Sequence, residues 1–147
     1  MIKNFEIEED IYQDLVKFYG RLFDLPPLTA KIYAYLIFDF DKEGFTFEEI
    51  VEIFSASKSS VSSSINLLLN QKLVKDITKI DERRRYFIIN DDYLKFRFTQ
   101  IIERLTTELD ILDRLQEFRG EEDEKYLEYR SLMSANITNI KNSLSKF

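Results

Sequence analysis

Residues 57–70 read Ser57-Lys58-Ser59-Ser60-Val61-Ser62-Ser63-Ser64-Ile65-Asn66-Leu67-Leu68-Leu69-Asn70. Val61, Ile65, Leu68 and Leu69 recur at helical steps and make one apolar face. Lys58, Ser59, Ser60, Ser62, Ser63, Ser64, Asn66 and Asn70 lie off that face, and no acid interrupts them. Hydroxyls, carboxamides and one ammonium group on a helix suit hydrogen bonding rather than covalent chemistry. Short side chains let a helix backbone come close to its target. Serine hydroxyls and the first amides of a helix suit phosphate oxygens. Asn66 has the donor and acceptor that read an adenine edge, serines can contact several base edges, and Lys58 suits phosphate or guanine. Further on, Asp81-Glu82-Arg83-Arg84-Arg85 concentrates three arginines within five residues.

The usual catalytic groups are missing. The chain has no cysteine and no histidine, so thiolate nucleophiles, disulfides, imidazole bases and Cys/His metal sites are excluded. Only three glycines occur and no phosphate-binding glycine loop is present. An enzyme, a cofactor and a metal site are therefore not expected. The acidic run Glu121-Glu122-Asp123-Glu124 lacks the spaced ligands and turn glycine of a cation loop, and it reads as the start of a helix.

Charge is distributed unevenly. The 147-residue chain has a net charge of −6, which by itself disfavours an anionic partner. Residues 55–90, however, hold four lysines and three arginines against three acids, a local +4. A focused basic stretch on an acidic chain is the electrostatic footprint of phosphate recognition.

Several elements must position these groups. Ile11, Leu15, Phe18, Tyr19 and Leu22 predict a helix over 8–23, broken by Asp24-Leu25-Pro26-Pro27. A second helix starts near Pro27 or Leu28 and runs to about Asp39, apolar nearly all round and so central in the core. Phe40 to Phe45 is a loop. Thr46-Phe47-Glu48-Glu49 is a capping box opening a short helix through Phe54. Ser57 is the N-cap of the helix at 58–70. Residues 73–80 and 85–89 alternate as strands of a hairpin with Asp81 to Arg84 at its turn. Leu94, Phe98, Ile101, Ile102, Leu105, Leu109, Leu112 and Leu115 predict a long helix ended by Gly120. A last helix carries Tyr126, Tyr129, Met133, Asn136, Ile137, Ile140 and Leu144. The expected fold is mainly α with a small β-hairpin, a winged helix-turn-helix core plus N- and C-terminal dimerisation helices. The divisions are 1–25, 26–90 and 91–147. In such a core the second helix of the pair enters the major groove and the wing reaches an adjacent minor groove or the backbone.

Residues 26–90 resemble MarR-type winged helix-turn-helix regulators, and among them the GbsR-like branch. The resemblance rests on Pro27-Leu28-Thr29-Ala30-Lys31-Ile32-Tyr33-Ala34-Tyr35-Leu36, Thr46-Phe47-Glu48-Glu49-Ile50, Ser57 through Leu68, and Lys72-Leu73-Val74. Flanking helices extend it over most of the chain. GbsR-like members often carry a glycine in the wing turn. Residues 81–85 have none and follow the Asp-x-Arg pattern of general MarR members. The resemblance implies a dimeric regulator of transcription that binds double-stranded DNA and answers to a small-molecule effector. Together with the residue chemistry it assigns DNA contact to Ser57, Lys58, Ser59, Ser60, Ser62, Ser63, Asn66, Arg83 and Arg84. It also implies that Asp81 shapes the wing tip by pairing with an arginine, here Arg85.

Plainer accounts compete. Three arginines beside Asp81 and Glu82 also describe a solvated charged hairpin. The aromatic residues of the first two helices, among them Tyr12, Phe18, Tyr19, Tyr33 and Tyr35, suit a pocket for a cationic effector, but ordinary core packing is the stronger reading. A winged-helix module for protein–protein assembly is the main alternative function, and it would more often expose apolar residues on the 58–70 helix. No apolar run reaches the roughly 20 residues that span a bilayer, and the N-terminus has no signal pattern. A cytoplasmic location is expected.

Overall fold

The computed structural model describes residues 5–146. It comprises α1 (Glu9–Leu22), α2 (Pro27–Ile37), α3 (Phe47–Phe54), α4 (Lys58–Asn70), β1 (Val74–Thr78), β2 (Arg85–Ile89), α5 (Tyr93–Arg119) and α6 (Glu124–Leu144). The chain divides into two compact units, with the boundary in the sequence between Asp91 and Asp92.

In the first unit, α2 is the central element. Its Thr29, Ala30, Ile32, Tyr33, Ala34 and Leu36 are all buried, as the nearly all-round apolar sequence requires. Ile50 of α3, Val61, Ile65 and Leu68 of α4, and Tyr86, Phe87 and Ile88 of β2 complete the core. Burying each large apolar side chain contributes about 1.5–3 kcal/mol relative to exposure. α2 stops two residues short of the expected Asp39. The reason is that the buried Asp39 carboxylate serves the next turn, accepting from the N–H groups of Glu43 (3.2 Å) and Gly44 (2.9 Å).

β1 and β2 pair antiparallel, from Val74 with Ile89 to Thr78 with Arg85. The first strand is shorter than the expected 73–80. Its ends go elsewhere: the Leu73 N–H donates to Leu68 O (3.0 Å), while Lys79 O accepts from Glu82 N–H (3.1 Å) to begin the turn. Phe45 adds a bridge to the outer edge of β2. Its N–H donates to Phe87 O at 3.1 Å and its carbonyl accepts from Phe87 N–H at 2.8 Å. Phe45 is fully buried there.

α1 is pinned to α2 by aromatic side chains. Tyr12 donates from its hydroxyl to Lys31 O at 3.1 Å, and Tyr19 meets Tyr33 edge-on at 5.3 Å. Burial, then Glu9, pushes the Tyr12 phenol up to about 12. The expected stripe of α1 behaves differently. Ile11, Phe18 and Leu22 are exposed, and no α1 residue is buried in full.

The second unit is a helical hairpin. Gly120 ends α5 in the left-handed conformation (φ 73°), as a C-terminal glycine should. Asp123 caps α6, accepting from the N–H groups of Lys125 and Tyr126. Leu109, Met133 and Ile137 form a small core flanked by Ile102 and Leu105. Asp113 binds Arg130 through both oxygens (2.9 and 3.1 Å) and accepts from the Tyr126 hydroxyl. Large apolar groups stay exposed, among them Leu94, Phe98, Ile111, Leu115, Phe118, Leu127 and Leu132. No helix among the described residues is long and apolar enough to cross a membrane.

Candidate nucleic-acid interface

The capping box forms as the sequence predicts. Thr46 Oγ1 accepts from Glu49 N–H (3.2 Å) and Glu49 Oε1 accepts from Thr46 N–H (3.1 Å). That starts α3. Ser55 ends α3 in the left-handed conformation (φ 47°), which turns the chain within three residues into α4. Ser57 caps α4: its Oγ accepts from Ser60 N–H at 3.1 Å and donates to Ser60 Oγ at 2.8 Å.

α4 buries Val61, Ile65 and Leu68 and exposes Lys58, Ser59, Ser60, Ser62, Ser63, Asn66 and Asn70. One serine departs from the expectation. Ser64 is buried, and its Oγ accepts from Thr29 Oγ1 of α2 at 2.8 Å. It lies three positions from Val61 and beside Ile65, so the helical period turns it inward.

A groove of about 310 Å³ lies between α4 and the wing, lined by Phe47, Glu48, Ser62, Ile65, Asn66, Arg83, Arg84, Arg85 and Phe87. Four of the residues chosen from sequence, Ser62, Asn66, Arg83 and Arg84, meet here. Ser59, Ser60 and Ser63 do not. They line a second groove, of about 600 Å³, on the α2 side of α4 with Pro26, Pro27, Leu28, Thr29, Ser64 and Leu67. Ser57 and Lys58 line neither and sit at the exposed start of α4. Sequence reasoning missed Phe47, Glu48, Arg85 and Phe87 as groove residues. Their only signal was indirect, since the bridge from Phe45 to Phe87 brings the start of α3 to the wing.

The wing is internally paired. Arg84 binds Glu82 at 3.0 Å, and its guanidinium lies 5.8 Å from the centre of the buried Tyr86 ring. Lys79 Nζ sits over the same ring at 4.0 Å. The Arg84 hydrogen bond, then one with Tyr86, holds the Glu82 carboxyl below its ordinary range. Burial, then Glu82, raises the Tyr86 phenol. The expected pairing of Asp81 with Arg85 is corrected by the structure. Arg85 Nε donates to Asp76 Oδ2 at 2.7 Å, and its guanidinium lies over Phe87 at 5.1 Å. The register explains this: Thr78 opposes Arg85 and Asp76 opposes Phe87, so Asp76 and Arg85 are diagonal neighbours on one face. Asp81 instead takes a left-handed backbone (φ 64°) at the turn.

The arrangement of two short helices joined by a tight turn, then a basic hairpin, is shared with a crystal structure described as that of a transcriptional regulator. The match has a TM-score of 0.60 at 17% identity and covers 94% of this chain and 95% of that one. The chain has a winged helix-turn-helix fold. Looser matches include MepR, a transcription regulator of the Staphylococcus aureus multidrug efflux pump MepA (TM-score 0.46, 20% identity, 92% and 91% of the two chains). They also include the adhesin competence repressor AdcR of Streptococcus pyogenes (TM-score 0.40, 16% identity, 95% and 98%). No protein-family model matches the chain, and no curated protein does. In the nomenclature of that fold α4 stands in the position termed the recognition helix and the β1–β2 hairpin in the position termed the wing.

Proposed function

We propose that this chain is a sequence-specific, double-stranded DNA-binding regulator of transcription that acts as a homodimer. The carrying observation is the groove that joins Ser62 and Asn66 of the recognition helix to Arg83 and Arg84 of the wing. Hydrogen-bonding groups suited to base edges thereby stand beside cations suited to phosphates. Ser57, Lys58, Ser59, Ser60 and Ser63 supply further backbone contacts along α4. The alternative of a protein-assembly module is disfavoured by the outer face of α4, where polar groups replace the apolar ones such a contact would use. A regulatory role also agrees with the description of the protein whose fold this chain shares. The apolar groups left exposed on α1, α5 and α6 support the dimer. A MarR-type mode of action, the GbsR-like branch and control by a small-molecule effector are finer parts of the proposal, supported by the motif resemblance.

The test is selection of genomic DNA fragments by the purified protein, followed by the same selection with Asn66→Ala and Ser62→Ala. Wild type is expected to enrich one motif. Asn66→Ala is expected to lose about 1–3 kcal/mol of discrimination at one base position. No enriched motif with wild type would overturn the proposal.

A further inference from the structure

The three arginines of the wing are adjacent in sequence but differ in their partners. Arg85 is bound to Asp76, and Arg84 is bound to Glu82. Among the described residues, Arg83 makes no ion pair and is exposed. Glu82 and Arg84 lie in the segment just before β2, where Arg84 reaches both Glu82 and the Tyr86 ring. Around the Tyr86 ring they form, with Lys79, a linked set of groups, Arg84 remaining exposed at its edge: the carboxylate binds one guanidinium, the ring faces both cations, and Lys79 O accepts from Glu82 N–H. Moving Arg84 onto a DNA phosphate would leave the half-buried Glu82 without its strongest partner, beside an anionic backbone.

We infer that Arg83 alone supplies the phosphate contact of the wing tip, and that Glu82 is a positioning residue that holds Arg84 against Tyr86 and reserves it from DNA. This rests on the DNA-binding reading above and withdraws one of its wing contacts, Arg84, from the phosphates. Glu82 limits the electrostatic grip of the wing, so more of the discrimination falls to Asn66 and Ser62 on the recognition helix. A weaker grip on phosphates lowers affinity for every sequence alike.

The experiment is fluorescence anisotropy across a salt series on one duplex enriched by wild type. The variants are Arg83→Ala, Arg84→Ala, Glu82→Gln and the double Glu82→Gln/Arg84→Ala, each checked for wild-type circular dichroism. Each phosphate neutralised contributes about −0.9 to the slope of log affinity against log salt. Arg83→Ala is expected to flatten the slope by about that amount, and Arg84→Ala by less than half of it. Glu82→Gln frees Arg84 and steepens the slope by about 0.9. The double variant returns to the wild-type slope, which a merely structural role for Glu82 would not produce. Equal flattening by Arg83→Ala and Arg84→Ala, or an unchanged slope in Glu82→Gln, overturns the inference while DNA binding stands. Wild type that binds no duplex overturns the DNA-binding reading and this inference together.

Discussion

Thr29 of α2 and Ser64 of the recognition helix share a buried hydrogen bond of 2.8 Å, Thr29 Oγ1 donating to Ser64 Oγ. It ties the orientation of α4 to the central helix through two side chains that are almost wholly out of water. Removing one partner leaves the other without compensation, at a cost of about 1–3 kcal/mol, whereas removing both is nearly neutral. Ser64→Ala is therefore expected to lower stability by that amount in chemical denaturation. Adding Thr29→Val, which keeps the shape, is expected to restore most of it. A Ser64→Ala variant as stable as wild type would show that the bond contributes nothing.

Gly44 holds the approach to the wing. Its φ is +84°, and a β-carbon there would stand 2.7 Å from Tyr86 Cβ and 3.1 Å from Ile88 Cγ2. Neither neighbour is the flexible end of a long side chain. Gly44→Ala combines a left-handed backbone penalty of roughly 1 kcal/mol or more with displacement of β2. The expected outcome is a lowered melting temperature and weaker DNA binding, since β2 carries one side of the groove. Gly120→Ala is the comparison. Its φ is also positive, but its β-carbon would meet nothing within 4 Å, so its cost is the smaller of the two.

The helical hairpin buries only Leu109, Met133 and Ile137, while Ile111, Leu115, Phe118, Leu127 and Leu132 face outward. So much exposed apolar surface suits an association site, and the proposed two-fold dimer would cover it symmetrically. Leu132→Asp is expected to convert a dimer into a monomer by light scattering with its helical circular dichroism retained. Truncation after Gly120 removes Met133 and Ile137 and is expected to give a monomer or an insoluble product. Wild type that is monomeric by light scattering at the concentration of the binding assay would refute the dimer.

Acid weakens the same hairpin through Asp113. Hydrogen bonds from Arg130, then Tyr126, hold its carboxyl below the ordinary aspartate range. A depressed folded-state pKa contributes stability that is complete above the unfolded value, about 3.9, and is lost as pH falls through the folded value. Wild type is expected to melt above Asp113→Asn at neutral pH. The difference should shrink once the pH drops below about 4 and vanish under stronger acid. A difference that is constant with pH would place the effect of Asp113 in packing rather than charge.

The ends of the helices were the most legible parts of the sequence. Thr46 with Glu49, Ser57 before Lys58, and Gly120 after Arg119 are local signals. Each satisfies free backbone groups within one turn of its own helix, so no distant residue had to be known. α4 accordingly spans Lys58–Asn70 and β2 spans Arg85–Ile89, as the periodicities predict. The apolar face of Val61, Ile65 and Leu68 was visible for the same reason.

What could not be read locally are the partners. Ser64 and Ser63 are neighbours of one type, yet one is buried against Thr29 and the other exposed, because the crossing of α2 over α4 decides how wide the buried face is. The serines of α4 divide between two grooves because α2 lies on one side of the helix and the wing on the other. Arg85 pairs with Asp76 rather than Asp81 because strand register makes residues nine apart into diagonal neighbours, while Asp81 lies in the turn outside the paired strands. Composition and spacing carried the residue chemistry and the helix limits, which depend on interactions within a few positions. Which hydroxyl is buried, which arginine is held and which groups share a groove depend on contacts between distant segments, and these exist only once the core has packed.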